Sequence, residues 1–183
     1  MKSKIKNKDL TVVSDYGHGL LNEDSARILK KSKFISVNCQ LNSTNKTYEN
    51  LKKYNNIDLL TINEIELRNF YSDFKSKISI LARKIIKQKN VKNVIVTQGN
   101  EGLFIINSDN IITCPAFAEK IIDKVGAGDV VFFIASLCIA SNINEKLTLF
   151  LCSIGASINL ENYLNSFDIS KDILKKYVKN ILE

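Results

Sequence analysis

The chain has 183 residues, 45% of them hydrophobic and 25% charged, which argues for one domain with a real core and against disorder. Its longest apolar run, Val130 to Ala140, is too short to span a bilayer and nothing at the N-terminus resembles a signal peptide, so a cytoplasmic protein with no membrane partner is expected. The net charge of +7 raises nucleic acid as a partner, but the lysines are scattered in local groups (1–8, 30–33, 52–53, 171–179) without a nucleic-acid motif; they read as a solvated surface, and no nucleic-acid partner is expected. Cys39, Cys114, Cys138 and Cys152 are widely spaced and the chain has one His, which leaves buried thiols rather than a zinc site or a disulfide framework.

In chain order, Thr11 to Ser14 is a short apolar strand that ends in Asp15-Tyr16-Gly17-His18-Gly19, and a helix with an Asn22 cap follows to Lys31. Phe34 to Val37 is a second strand, followed by a polar stretch from Asn38 to Asn45 and a short helix to Lys53. Ile57 to Ile62 is a third strand, leading into a helical region that breaks near Ser72 and resumes to Gln88; Val94 to Thr97 is a fourth. Leu103 to Ile106 and Ile111 to Thr113 flank Asn107-Ser108-Asp109-Asn110, a hairpin signal, and the remainder reads as helical. Strands alternating with helices predict an open, mainly parallel α/β sheet that binds ligands along the C-terminal ends of its strands. No linker, repeat or domain boundary stands out, so residues 1–183 are read as a single domain.

The stretch Ile121 to Ala140, IIDKVGAGDVVFFIASLCIA, is the centre of the functional reading. It turns through Gly126-Ala127-Gly128 and runs from Asp129 into an apolar segment long enough to be a buried helix. Small residues at a helix start leave backbone N–H groups uncovered at the positive end of the helix dipole, a site for phosphate. Asp129 beside such a site would repel phosphate, unless it takes the proton of a hydroxyl that attacks the phosphorus. The plain alternative is an Asp near a helix N-terminus with glycines chosen for close packing.

Three further stretches lie at the expected ligand edge. Asn63-x-x-Glu66 follows the third strand; a carboxylate and an amide acting through water suit Mg²⁺, which keeps much of its hydration, whereas read alone Asn63 is a helix cap and Glu66 a solvated first-turn acid. Thr97-x-Gly99-x-x-Gly102 closes the fourth strand, with glycines that let backbone approach a ligand or simply link into the hairpin. Asp15, His18 and Asn38 are polar groups after strands, able to meet a polar ligand and equally able to serve as turn formers. No Walker loop and no protein-kinase H-R-D or D-F-G set is present.

These motifs carry a resemblance. D-K-V-G-A-G-D, Asp123 to Asp129, resembles the D-x-x-G-A-G-D signature of the PfkB or ribokinase-like sugar kinases, and N-x-x-E and T-x-G-x-x-G precede it in that family's order. The resemblance implies a three-layer ribokinase-like fold and an ATP-dependent carbohydrate kinase. It implies Asp129 as base, Gly126, Ala127 and Gly128 as anion hole, and Thr97, Gly99 and Gly102 as nucleotide-binding. It also implies Asn63 and Glu66 arranging Mg²⁺ through water, and Asp123 near a monovalent cation, K⁺; Lys124 and Val125 stand where many members carry small or hydroxyl residues.

The Ser14 to Gly19 stretch, S-D-Y-G-H-G, resembles the S-D-Y-x-K-G loop of heptose-phosphate kinases of lipopolysaccharide precursor synthesis, with His18 in place of Lys. Val37 to Asn42, V-N-C-Q-L-N, looks like a segment of heptose-kinase-like proteins that occur with nucleotidyltransferase domains. Asp15, His18 and Asn38 are the substrate-side residues so implied. The resemblance covers almost the whole chain but only the C-terminal part of the family's fold, without its first α/β segment and β lid. The expected partners are therefore a sugar or sugar phosphate together with a chain supplying the missing half, or further copies in a homo-oligomer. A non-catalytic or split-subunit nucleotide-binding or assembly partner is the alternative.

Overall fold

The structure is a computed structural model that describes residues 5, 8–29, 31–40, 49–162 and 169–182. The end of the polar stretch after β2, Leu41 to Asn45, the start of the short helix before Glu49, and much of the first lysine group lie outside the described residues.

The elements run β1 (Thr11–Asp15), α1 (Glu23–Leu29), β2 (Ile35–Cys39), α2 (Glu49–Lys52), β3 (Ile57–Asn63), α3 (Glu64–Tyr71), α4 (Ile78–Lys89), β4 (Val91–Thr97), β5 (Leu103–Ile106), β6 (Ile111–Cys114), α5 (Ala127–Ala140), α6 (Glu145–Leu160) and α7 (Lys171–Leu182). They form an α/β fold around a mixed six-stranded sheet in the order β1-β2-β3-β4-β5-β6. The first four strands are parallel, with Ser14 opposite Asn38, Asn38 opposite Thr61, and Asn63 opposite Thr97. The chain separates by its contacts into two compact units, Met1–Thr97 with Ile105–Ile111, and Gln98–Phe104 with Ile112–Glu183.

In the first unit β2 and β3 are buried on both faces, as strands flanked by parallel neighbours and crossover helices should be. Val37, Leu59, Leu60, Val94, Ile95 and Val96 have no exposed surface, and each such side chain stabilises the unit by about 1.5–3 kcal/mol. The helical region after β3 breaks where expected: Ser72 is left-handed at φ 51° and donates its N–H to the Arg68 and Asn69 carbonyls. The second strand differs from expectation. It continues through Asn38 and Cys39, all five of its residues buried, because the Asn38 amide nitrogen donates within the sheet to the Thr61 carbonyl at 2.9 Å. The hairpin signal is realised, with the Asn107 side chain accepting from the N–H groups of Asp109 and Asn110.

The second unit is built on α5 against α6. Phe132 and Ala135 of α5 and Leu149, Cys152, Ile154 and Ile158 of α6 are fully buried. Gly155 lets the two helices close together, since a Cβ there would lie 2.4 Å from Ile134 Cδ1. Two boundaries depart from the sequence expectation. The helix begins at Ala127, two residues before Asp129, with Gly126 as its cap, and it is not buried throughout: Phe133 and Leu137 are 51% and 61% exposed. No described helix is long and apolar enough to cross a membrane. The four cysteines are free, Cys138 half-buried and the others buried.

Candidate functional site

In the first unit the C-terminal ends of β1 to β4 carry Asp15, Asn38, Asn63 and Thr97, the last two opposite each other in register. Asn63 caps α3 and Glu66 is its third residue. The Asn63 side chain accepts the Glu66 N–H at 2.7 Å, and the Glu66 carboxylate accepts the Asn63 N–H at 3.0 Å, a reciprocal capping box. The cap half of the plain alternative is therefore correct, whereas Glu66 is not a solvated acid: it is only 8% exposed. This carboxylate and Asp15 lie close enough to Cys39 to help burial push its thiol well up from the usual range.

Asp15 is 4% exposed and both its oxygens are engaged. One accepts the Gly17 N–H at 2.9 Å; the other accepts the Tyr54 hydroxyl at 2.7 Å and the Lys53 ammonium at 2.6 Å. Burial alone would raise the Asp15 carboxyl, but the Lys53 ammonium and the Gly17 and Tyr54 donors outweigh it and hold the group below the usual carboxylate range. His18 is exposed at the tip of the following loop, between Gly17 and Gly19 at φ 73° and 79°.

Asn38 lies within β2, not in a loop, and its Oδ1 is buried without a hydrogen-bond partner among the described residues. The register neighbours Ser14 and Thr61 are in the same condition at their hydroxyls. Three adjacent strands thus turn unsatisfied oxygens to one sheet face, where water or a ligand hydroxyl is the natural complement. Ser14 enters the sequence reading only as the first residue of the S-D-Y-G-H-G stretch and Thr61 only as part of an apolar strand; a hydroxyl interrupting such a strand is the available signal.

In the second unit the first turn of α5 is unlike that of α3. Gly126 caps it at φ 87° with no side-chain bond, and the first return bond is Val130 N–H to the Gly126 carbonyl at 2.9 Å. The N–H groups of the turn have no acceptor within the helix by position. A Cβ on Gly128 would meet nothing within 4 Å, so close packing does not explain that glycine; it leaves space outside the turn. Asp129 follows, half-buried, in the same turn.

The approach to this turn is tied to the end of α6: the Ile122 and Asp123 N–H groups donate to the Leu160 carbonyl, and the Asn159 amide donates to the Val125 carbonyl at 2.8 Å. Asp123 itself accepts the Val125 N–H at 2.9 Å. Asn159 and Leu160 therefore position the glycine turn, and nothing in their sequence context announces it.

Gly99 and Gly102 differ in kind. Gly99 is left-handed at φ 58° with open space around it, whereas a Cβ on Gly102 would lie 2.2 Å from the Cys114 carbonyl oxygen. Gly102 is required by the backbone of residues 114–116. The sequence-predicted residues thus fall into two groups: Asp15, His18, Asn38, Asn63, Glu66 and Thr97 on the first unit; Gly99, Gly102, Asp123 and Gly126 to Asp129 on the second.

Residues 4–140 match the model of the pfkB family of carbohydrate kinases. The chain is 28% identical over 158 residues to the bifunctional protein HldE of Campylobacter curvus, covering 84% of this chain and 33% of that protein. Among solved structures it resembles the Escherichia coli phosphofructokinase-2 in complex with potassium, with a TM-score of 0.81 at 19% identity, covering 100% of this chain and 60% of that one. It also resembles the Thermotoga maritima ribokinase, with a TM-score of 0.76 at 19% identity, covering 98% and 59%. The fold is thus ribokinase-like, and the chain spans about a third of the curated relative and about three fifths of the solved structures.

Proposed function

Because the chain belongs to the pfkB family of carbohydrate kinases, we propose that it takes part in ATP-dependent phosphorylation of a hydroxyl on a sugar or sugar phosphate. The observation that carries this reading is the first turn of α5, a glycine-capped helix start without a side-chain cap, with open space at Gly128 and a carboxylate at Asp129. Gly126, Ala127 and Gly128 hold the transferred phosphoryl group through backbone N–H groups. Asp129 accepts the proton of the attacking hydroxyl. Thr97, Gly99 and Gly102 form the nucleotide-binding turn, and His18, with Asp15 at the base of its loop, and Asn38 lie on the substrate side.

Asn63 and Glu66 suit Mg²⁺ held through water, since a buried carboxylate and an exposed amide already fixed by mutual bonds are preorganised acceptors for the ion's hydration shell. When bound, the ion offsets charge on the phosphates. Asp123, oriented by the Val125 N–H, is the candidate for a monovalent cation such as K⁺. Phosphoryl transfer depends mainly on alignment and electrostatics, so the partners that fit this reading are a polypeptide carrying the remaining part of the fold, which would complete the pocket, or further copies of this chain in a homo-oligomer. A cytoplasmic setting with a diffusible sugar phosphate fits this chemistry.

The second reading is a nucleotide-binding or assembly partner without turnover of its own. A screen of heptose phosphates and other sugars with ATP, comparing the wild type with Asp129→Asn, separates the two. Loss of a general base lowers the rate by about 10²–10⁴-fold. Turnover unchanged in Asp129→Asn would overturn the mechanism; ATP binding without turnover of any acceptor would favour the partner reading.

A further inference from the structure

The loop that carries His18 is held at both ends by one largely covered ammonium group. Lys53 Nζ lies 2.6 Å from Asp15 Oδ2, at the loop's start, and donates to the Leu21 carbonyl at 2.5 Å, at its end. The Tyr54 hydroxyl donates to the same Asp15 oxygen at 2.7 Å. All three side chains are withdrawn from water, Asp15 at 4%, Tyr54 at 3% and the Lys53 side chain at 10% exposure. Between these fixed ends the loop has two glycines at positive φ, Gly17 and Gly19, and exposes His18 together with Tyr16 and Leu20. Glycine at such φ values restrains the chain little, and the Lys53 and Tyr54 bonds tie the loop at its ends. Ion pairs that are desolvated and hydrogen-bonded hold geometry far better than surface pairs.

We propose that Lys53 and Tyr54 are positioning residues that staple the Asp15–Leu21 loop at its base and thereby set where His18 meets an anionic sugar substrate. The substrate part rests on the kinase reading above; the staple does not. Asp15 on this account acts on the substrate through the loop rather than by touching it, since both its oxygens are taken by Gly17, Tyr54 and Lys53.

The test is hydrogen–deuterium exchange on the full chain for wild type, Lys53→Met, Lys53→Arg and Tyr54→Phe, reading residues 16–21 against β3. Loss of the staple is expected to speed exchange in residues 16–21 by about tenfold or more while β3 keeps its protection, with Lys53→Arg restoring most of the order and Tyr54→Phe giving a smaller change in the same direction. Should Lys53→Met fail to fold, Tyr54→Phe, which removes only a hydroxyl, carries the same comparison. Exchange of residues 16–21 unchanged in a folded Lys53→Met protein, or in Tyr54→Phe if Lys53→Met does not fold, would overturn the staple.

Under turnover conditions Lys53→Met should raise KM for the sugar phosphate about tenfold or more and leave ATP affinity and kcat close to wild type. A fall in kcat at unchanged KM would overturn the positioning role while the exchange data judged the staple. A chain inactive toward every sugar phosphate, both alone and with the rest of the pocket supplied, would count against the kinase reading and against His18 as a substrate contact, and the staple would still stand or fall on residues 16–21.

Discussion

Two helices of this protein begin in opposite ways. At α3 the chain closes its own N-terminus: Asn63 and Glu66 exchange bonds across the first turn, and Glu66 is buried in doing so. At α5 the cap is Gly126, with no side chain to offer, and Gly128 looks onto empty space. A missing cap is not by itself a binding site, since α4 also starts without a side-chain cap, at Lys77. What separates α5 from α4 is that its first turn pairs two glycines with an adjacent carboxylate. On the proposed reading the first turn of α5, left open and given an acid, serves a ligand, whereas the first turn of α3, closed by its own side chains, serves the fold first.

The contrast can be broken most directly at Asp129. Replacing it with Asn should lower turnover by about 10²–10⁴-fold and leave stability within about 0.5 kcal/mol of wild type, measured as the rate with saturating sugar phosphate beside a denaturant titration. A matching loss of stability would mean that the carboxylate serves the helix, as Glu66 does at α3.

Next in size is Gly102→Ala. Its φ of 91° and the Cys114 carbonyl oxygen, which would stand 2.2 Å from the added methyl group, predict a loss of at least about 2 kcal/mol, read as a drop in the denaturation midpoint. A stable Gly102→Ala variant with weakened ATP binding would return this glycine to the nucleotide and away from the backbone of residues 114–116.

The closed helix start is tested by Asn63→Ala, which should cost about 1 kcal/mol through the lost cap, and by Glu66→Gln, which keeps an acceptor for the Asn63 N–H but removes the charge. If Glu66 has a role beyond the cap, Glu66→Gln will be near wild type in stability yet need more Mg²⁺ for half-maximal activity; an unchanged Mg²⁺ requirement would restrict it to the capping box.

The smallest expected effect on stability is at the open start. Gly128→Ala meets no neighbour, so the midpoint should move by no more than about 0.5 kcal/mol, while affinity for ATP, followed by thermal shift, should fall because the methyl group crowds the turn's N–H groups. Affinity equal to wild type would argue that phosphate does not approach there.

Much of this molecule was legible before its structure. The strands, the break at Ser72 and the Asn107 to Asn110 hairpin follow from apolar runs and turn formers that act over a few residues, and so does the placing of D-K-V-G-A-G-D at a helix start. The errors were at boundaries where a long-range bond overrides local character. Asn38 reads as loop because amides favour turns, yet it extends β2 because the Thr61 carbonyl, 23 residues away, receives its amide. The apolar run of α5 reads as buried because composition says nothing of which face is covered, and Phe133 and Leu137 remain exposed.

What the amino-acid sequence determined alone is the set of elements, their order and the chemistry offered at the glycine turn, since capping, periodicity and backbone freedom are decided by neighbours along the chain. Which glycine is held by packing and which opens onto space, why Glu66 is buried, and how Lys53 and Tyr54 reach Asp15 from 38 and 39 positions away were decided only by tertiary structure. Contacts between residues so far apart depend on the path of the backbone between them, and no local pattern of residue types encodes that path.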